Sequence, residues 1–342
     1  MKCVFVRPPA YLMRRHLKLG LLRLLRALGV FALARRITRH RVRILCYHGV
    51  WRGSSRFPGD ALFMTAARFR EHLDVVRAGG YPVVSLDEAV EGMFGAHDLP
   101  PAPVVITIDD GWYSTFVDMW PELRTRGMPA TLYVDSGTLL SGHPVPHVMA
   151  RYVIQEYGGD PRSYGDALAR TEPVPGHSTI EERLAAAESL AADLGADPGE
   201  IRTSRRFDYM SPEELRAVFA EGLDVQLHTR NHLLPERTAE EVEREVVMNR
   251  ADLAEVLDRN PGGFRHFCYP SGVHDPAMHE GLRRAGVVSA TTTVLGLADG
   301  TDDALALPRL ILGESHSEIE LEAELSGVMS GLRYIRRRLT RS

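Results

Sequence analysis

The sequence Val104-Val105-Ile106-Thr107-Ile108-Asp109-Asp110-Gly111 joins an apolar run to two adjacent carboxylates and a glycine. Its β-branched residues, which follow Pro103, predict a buried strand. The carboxyl end of that strand then carries Asp109 and Asp110, and α/β proteins place their chemistry at this end of their strands. Because Asp-Gly is also a common turn pair, the run by itself leaves a plain turn open as the alternative.

Strand-like and helix-like segments alternate along most of the chain. Thr65 can cap a helix over residues 66–78, and Ser85 begins another helix with capping-box spacing. This alternation predicts a parallel sheet or a (β/α) barrel. We predict strands over residues 44–50, 81–84, 104–108, 130–134, 223–227, 264–269, 287–292 and 307–312.

The alternation breaks over residues 137–205, where glycine, proline and histidine cluster before alanine-rich helical patterns appear. We interpret this stretch as a helical insertion between two strands, of the kind that forms a lid or shapes a substrate site. Three parts are therefore expected: a basic amphipathic N-terminal segment over 1–43, a barrel over 44–325 that contains the insertion, and a basic C-terminal tail over 326–342.

Composition excludes some classes of protein. A net charge of −4 argues against a nucleic-acid binder, and we expect no nucleic-acid partner. The three cysteines, Cys3, Cys46 and Cys268, lack the spacing of a disulfide framework or of a cysteine zinc site. Sparse cysteines favour a reducing compartment.

The N-terminal segment is rich in leucine but is interrupted by Lys18, Arg23 and Arg26. Because a charge near the centre of a spanning helix costs roughly 2.5–3.5 kcal/mol, these residues disfavour a bilayer span. They also disfavour a signal peptide, and no small-residue cleavage site follows. The pattern predicts an amphipathic helix on an anionic membrane surface; the alternative is a helix packed on the protein itself. We expect a cytoplasmic protein, peripheral on the inner face of the membrane, with an exported form as the alternative.

A second cluster of polar residues follows another predicted strand, at His228-Thr229-Arg230-Asn231-His232. Two histidines and one carboxylate can form a divalent-metal site with open positions, suited to zinc. Either Asp109 or Asp110 could supply the carboxylate, because both clusters lie at strand ends. A pair of histidines at this spacing is otherwise often incidental.

Three motifs in order resemble the polysaccharide deacetylase family, carbohydrate esterase family 4. They are Thr107-Ile108-Asp109-Asp110-Gly111, His228-Thr229-Arg230-Asn231-His232 and Phe267-Cys268-Tyr269-Pro270-Ser271-Gly272. The resemblance covers roughly residues 42–325, and it implies a distorted seven-stranded (β/α) barrel.

The resemblance also implies roles for individual residues. Asp110, His228 and His232 would hold a divalent metal ion, which we expect to be zinc, and Asp109 would act as the general base. Physical chemistry agrees, because two adjacent carboxylates cannot both bind one ion comfortably from a strand end. Ser271, through its backbone N–H, and Tyr269 would contact the substrate and the developing oxyanion.

The chain departs from the family pattern at two roles. The third motif has Cys268 where many members have an arginine that orients the base, and Arg265 lies too far upstream to be equivalent. Arg309 is another arginine that could pair with an active-site carboxylate. For the acid that protonates the leaving amine, Tyr47-His48 resembles a branch of the family in which that histidine takes the role. His316, in Gly313-Glu314-Ser315-His316, is the other candidate for this acid, and we favour His48 over it.

Together these features predict a metal-dependent hydrolase that removes the N-acetyl group from an amino sugar in a polysaccharide or a lipid-linked glycan. One alternative is a deacylase or amidohydrolase that acts on a small non-sugar amide. Another is a catalytically weak carbohydrate-binding protein of the same fold.

Overall fold

Seven parallel strands close into a barrel in the computed structural model, which describes residues 9–53, 57, 62–95, 97–158, 161–174 and 178–339. The predicted seven-stranded (β/α) barrel is confirmed. Each strand is hydrogen-bonded to the next in chain order, and the last pairs with the first. The strands are β1 (Arg43–Tyr47), β2 (Val104–Ile108), β3 (Thr131–Val134), β4 (Asp224–Leu227), β5 (His266–Cys268), β6 (Ser289–Leu295) and β7 (Leu307–Ile311).

The barrel strands are short and mostly apolar because helices or side chains cover them on both faces. Every residue of β1, β2 and β3 is buried. Tyr47 lies opposite Ile108, and Ile108 lies opposite Leu132. This register brings the carboxyl ends of the first three strands to one level, so the residues that follow them meet at one end of the barrel.

Fifteen α-helices accompany the strands in the described ranges. They are α1 (Pro9–Ala27), α2 (Val30–Ile37), α3 (Ala66–Ala78), α4 (Leu86–Phe94), α5 (Trp120–Thr125), α6 (Ser136–Ser141), α7 (Pro146–Val153), α8 (Gly165–Ala169), α9 (Ile180–Asp193), α10 (Pro198–Thr203), α11 (Pro212–Ala220), α12 (Ala239–Leu257), α13 (His279–Arg284), α14 (Glu318–Ser326) and α15 (Val328–Leu339). Two-residue strands at Gly49–Val50 and Phe63–Met64 pair outside the barrel, and single π-helical turns lie at Thr115–Met119 and Ile154–Gly158.

Side-chain caps set several of the helix starts. The Thr65 side chain accepts a hydrogen bond from the Arg68 N–H, the predicted capping box forms at Ser85, and another forms at Ser211. Each cap satisfies an N–H group that the first turn of a helix leaves without a partner. Helix α3 consequently spans the predicted residues.

One predicted strand, over residues 81–84, is wrong. The structure has only an isolated bridge there, between Val83 and Val104. Pro82 has no N–H to donate to a neighbouring strand. Because Ser85 already caps α4, the segment is also too short to add a strand to the barrel.

Helices α6 to α10 lie between β3 and α11, where we predicted the insertion. The segment between α10 and α11 returns to the residues that follow β2. The Met210 N–H donates to the Gly111 carbonyl at 2.9 Å, and the Tyr113 N–H donates to the Asp208 carbonyl at 2.9 Å. The segment that follows the insertion is therefore anchored directly beside the adjacent carboxylates.

The N-terminal segment forms two helices, α1 and α2, which meet at Gly29 in the left-handed conformation. Both pack against α14. No helix in the described residues is both long enough and apolar enough to cross a bilayer. Residues 1–8, with Cys3, and residues 340–342 of the predicted tail lie outside the described residues.

Candidate functional site

Asp109 and Asp110 leave the end of β2 toward different partners. The backbone turns left-handed at Asp110, with φ of 79°, and continues so at Gly111, with φ of 110°. Asp109 contacts residues of β1, β5 and β7, whereas Asp110 contacts the two histidines that follow β4. Such a conformation is costly for a residue with a side chain, and strained residues of this kind cluster at functional sites.

Asp110, His228 and His232 form a compact cluster of atoms that could hold a metal ion, which we call the metal-binding cluster. Oδ1 of Asp110 lies 3.3 Å from Nε2 of His228 and 3.3 Å from Nε2 of His232. The three ligand atoms all lie within 4.8 Å of one another. The side chains of Asp110 and His228 are buried, and His232 is 28% exposed, so the cluster has one open side.

Neighbouring groups orient these ligand atoms. Nδ1 of His228 lies 2.7 Å from the Cys268 carbonyl oxygen, which accepts a hydrogen bond from it, so Nε2 faces Asp110. The Trp112 indole donates to Oδ2 of Asp110 at 2.8 Å, so Oδ1 remains for the histidines. Burial alone raises the pKa of Asp110, but the hydrogen bonds from the two imidazoles outweigh it and hold that pKa well below its usual range.

Two other groupings of ligand atoms surround Asp109: one with Cys46 and His48, and one with His228 and Cys268. Both are poorer metal sites, because the Arg309 guanidinium already pairs with both oxygens of Asp109. Burial also raises the pKa of the Cys46 thiol well above its usual value, which disfavours the thiolate that a metal requires. The described residues therefore favour the cluster of Asp110, His228 and His232.

Arg309 reaches Asp109 from β7 and is buried together with it. Nη1 lies 2.8 Å from Oδ1, and Nη2 lies 2.8 Å from Oδ2, which is the two-pronged geometry of a strong ion pair. Burial alone raises the pKa of Asp109, but the charge and hydrogen bonds of Arg309 lower it to about 2. Arg309 thus supplies the guanidinium that the third motif lacks, while the thiol of Cys268 lies 3.4 Å from Oδ2 of Asp109.

Of the two candidate acids, only His48 approaches Asp109. Its Nε2 atom lies 3.9 Å from Oδ2 of Asp109, and the side chain is 21% exposed. The His316 ring instead accepts a hydrogen bond from the Gly313 N–H. Within the described part of the chain, no hydrogen bond or ion pair joins His316 to Asp109 or to the metal-binding cluster.

The third motif forms a tight turn after β5. Ser271 is left-handed, with φ of 53°, and a Cβ atom on Gly272 would lie 2.1 Å from Oγ1 of Thr293, so the turn requires that glycine. The buried Tyr269 side chain donates its hydroxyl to the Leu305 carbonyl at 2.9 Å. The Tyr269 side chain therefore supports the turn, so the backbone is the part of this residue that is left to contact a substrate.

Trp112, the first aromatic residue after the carboxylates, packs inside the protein. Trp112 is buried between Phe63 and Tyr209, so it supports Asp110 and does not stack on a sugar.

From the insertion, His147 comes close enough for the charges of His232 and Asp110 to affect it, although burial dominates and lowers its pKa to about 3. The insertion thus contributes a neutral imidazole near the metal-binding cluster.

The sequence analysis did not identify two residues of α12 that hold the histidine loop, which is the loop over residues 228–232. The Glu245 carboxylate accepts the N–H groups of Arg230 and Asn231, each at 3.0 Å. One turn later, the Asn249 side chain accepts the His228 N–H at 3.0 Å and donates to the Val134 carbonyl. Their spacing of four residues places both on the side of α12 that faces the loop. This spacing is the sequence feature that could have identified them, but polar residues four apart on a helix usually face solvent.

Replacing Glu245 with alanine is expected to weaken zinc binding by roughly 10–100-fold, the usual cost of losing a residue that supports a metal ligand. The loop N–H groups would lose their acceptor, and His232 would lose its fixed position. Competition with a fluorescent chelator measures the affinity. Glu243→Ala on the same helix is the matched control, because Glu243 pairs with Arg284 and does not touch the loop. Equal zinc affinities for both variants would show that Glu245 does not position the ligands.

Comparisons with known proteins agree with this geometry. The sequence model of the family described as polysaccharide deacetylase matches residues 96–290. No curated protein matches the sequence.

Several solved structures share the fold. IcaB from Ammonifex degensii is 22% identical, with a TM-score of 0.56 over 84% of this chain and 97% of that chain. The Streptococcus pyogenes deacetylase PplD in complex with acetate is 16% identical, with a TM-score of 0.57 over 84% of this chain and 99% of that chain. A de-N-acetylase from Aggregatibacter actinomycetemcomitans is 15% identical, with a TM-score of 0.56 over 83% and 99%.

The family match covers more than half of the chain and includes the Asp109-Asp110 pair, both histidines and the turn at Ser271. The three motifs that resemble the family in sequence also meet at one end of the barrel. The chain therefore belongs to the polysaccharide deacetylase family.

Proposed function

We propose that this protein is a metal-dependent hydrolase that removes the N-acetyl group from an N-acetylated amino sugar in a polysaccharide or a lipid-linked glycan. The observation that carries the proposal is the cluster of Asp110, His228 and His232 beside an ionised, arginine-paired Asp109. Hydrolysis of an amide needs an electrophilic centre, a base for the attacking water and an acid for the leaving amine. Residues suited to each role lie together at the carboxyl end of the barrel.

The residues fit a divalent ion, and the donor set favours zinc. Two imidazole nitrogens and one carboxylate oxygen leave positions open for substrate and water, as catalytic zinc sites do. The hydrogen bond from Nδ1 of His228 to the Cys268 carbonyl orients the ring, so that Nε2 is the nitrogen available to a metal. When bound, the ion would polarise the acetyl carbonyl and make a water molecule more acidic.

Asp109 is the base in this proposal. Its pairing with Arg309 keeps the carboxylate ionised and fixes its orientation, so it can accept a proton from the attacking water. His48 would then donate a proton from Nε2 to the amine that leaves. The backbone N–H of Ser271, held by the tight turn after β5, would stabilise the developing oxyanion.

Release of acetate from N-acetylglucosamine oligomers or lipid-linked amino sugars tests this function. We expect release by the zinc-loaded protein, loss of release after chelation and recovery when zinc is added back. Turnover of small non-sugar amides alone would favour the amidohydrolase alternative. Binding of sugar without any release would favour the carbohydrate-binding alternative, which is weakened by Arg309 because the guanidinium missing from the third motif is present.

Replacing His48 with glutamine is expected to lower turnover by roughly 10²–10⁴-fold, the usual contribution of a general acid. His316→Gln is expected to retain turnover within about twofold, because His316 bonds to its own loop. Steady-state kinetics of the two variants on one substrate compare them directly. Near-normal turnover of His48→Gln with loss in His316→Gln would reverse the assignment.

A further inference from the structure

Helix α1 and Leu28, which directly follows it, carry two apolar stripes, and within the described residues only one of them packs on the rest of the chain. Leu19, Leu22 and Leu25 face the body, where they join a cluster with Phe31 of α2 and Ile319 of α14. The other stripe points outward, and its members are 53–68% exposed. It consists of Met13, Leu17, Leu21, Leu24 and Leu28.

The outward stripe is continuous along the helix. Its members recur at intervals of four, four, three and four residues, which places them on one face at 3.6 residues per turn. Helix α2 adds the exposed residues Leu33 and Ile37, and α15, which packs against α2 and α14, adds Leu332 and Ile335. A soluble protein seldom exposes so many large apolar side chains on neighbouring helices without using them to bind something.

The charge of these helices indicates what they bind. Helices α1 and α2 carry seven cationic residues and no acidic residue, and α15 carries four arginines and no acidic residue. The cations of α1 and α2 are Arg14, Arg15, Lys18, Arg23, Arg26, Arg35 and Arg36. A surface that combines exposed leucines with cations alone complements an anionic lipid bilayer.

Two of these cations tie α1 to the protein, and three others are free of ion pairs within the described residues. Lys18 pairs with Glu320 at 2.7 Å, and Arg26 pairs with Glu322 at 3.0 Å, so both tie α1 to α14. Arg14, Arg23 and Arg36 are exposed and form no ion pair with any residue that the structure describes. On the helical wheel, Arg14 and Arg23 flank the outward stripe of α1 on opposite sides.

We propose that the outward faces of α1, α2 and α15 bind the surface of an anionic membrane, with the outward stripe inserted among the lipid headgroups. The body-facing stripe and the ion pairs to α14 hold α1 on the barrel while its outer face lies in the lipid. The Arg15 guanidinium donates to the Ser315 carbonyl in the loop after β7, so this part of α1 lies at the end of the barrel that carries the metal-binding cluster. The inference does not depend on the proposed reaction.

Vesicle binding by the full chain tests the inference. Co-sedimentation with vesicles of phosphatidylcholine containing 30% phosphatidylglycerol, or of phosphatidylcholine alone, measures the partition coefficient. We expect the wild type to prefer the anionic vesicles at least tenfold. We also expect added salt to weaken that preference, because it screens the arginines.

Two sets of variants separate the apolar and the charged contributions. The triple variant Leu17→Asp, Leu21→Asp and Leu24→Asp is expected to lose at least tenfold in partitioning. The matched control carries Leu140→Asp, Val247→Asp and Val288→Asp, which are also exposed but lie outside these helices, and it is expected to bind within twofold of the wild type. Arg14→Gln, Arg23→Gln and Arg36→Gln together are expected to remove the preference for anionic lipid. Circular dichroism and thermal melting establish that each variant folds.

Three outcomes would overturn the inference: no vesicle binding by the wild type, equal binding by the leucine variant, or equal binding to neutral and anionic vesicles. Sedimentation velocity tests whether a second copy of the chain, instead of a membrane, binds this face. A wild-type dimer that the leucine variant dissociates, without vesicle binding, would assign the stripe to a subunit interface.

Discussion

Replacing Arg309 with methionine is expected to lower the free energy of unfolding by about 3–5 kcal/mol and to reduce turnover by at least about 100-fold. Methionine retains much of the volume of arginine but removes both hydrogen bonds to Asp109. The carboxylate would remain buried without a countercharge, which is the costly way to break a buried ion pair. Urea unfolding and acetate release measure the two effects.

A double variant separates the structural from the catalytic role of this pair. Arg309→Met combined with Asp109→Asn removes the uncompensated charge, so part of the lost stability should return while turnover remains low. Arg309→Lys keeps a charge but lacks the two-pronged geometry, and it should lie between the wild type and the methionine variant. Such non-additive behaviour is expected of two residues in direct contact.

Arg265→Met provides the matched control for Arg309. Arg265 is the other arginine near the third motif, but its partners are Asp87 and Glu91, at the start of α4 and within it. Its loss should leave turnover within about twofold of the wild type and stability within about 1 kcal/mol, as for other partly exposed ion pairs. Equal losses for both variants, or normal turnover of Arg309→Met, would contradict the role assigned to Arg309.

The fold follows from the sequence wherever one local signal dominates. Capping residues and apolar periodicity place α3, and short apolar runs place β1, β2 and β3. The apolar residues around Pro82 match a strand pattern and predict a strand, but the segment forms a single bridge, between Val83 and Val104. The strand pattern alone could not show this, because pairing depends on what lies beside the segment in space.

The sequence likewise identifies some residues of the site but not the partners that position them. The motifs identify Asp109, Asp110, His228 and His232, because strand ends of one sheet meet at one edge. The partners Glu245, Asn249 and Arg309 lie far away in sequence and become neighbours only when the barrel closes. Arg309 could be suggested from the sequence as a partner for a carboxylate, but whether it pairs with Asp109 depends on the position of β7.

Asparagine substitutions at the two adjacent carboxylates are expected to have different effects. Asp110→Asn should weaken zinc binding by more than the roughly 10–100-fold that loss of a supporting residue costs, because it removes a direct ligand. Asp109→Asn should retain bound zinc but lower turnover by roughly 10²–10⁴-fold, the usual contribution of a general base. Metal content after dialysis and turnover at saturating zinc distinguish the two.

The backbone explains why the two neighbours should differ. The left-handed turn at Asp110 directs its carboxylate to the imidazoles, while Asp109 remains between Arg309 and the cysteines of β1 and β5. A metal ion that also bound Asp109 would have to compete with a buried guanidinium for the same oxygens, which is electrostatically unfavourable. Equal loss of zinc in both variants would therefore mean that Asp109 also binds the ion and that Arg309 moves away when it does. Loss of turnover without loss of zinc in Asp109→Asn would instead support a division of labour between the carboxylates, one for the metal and one for the proton.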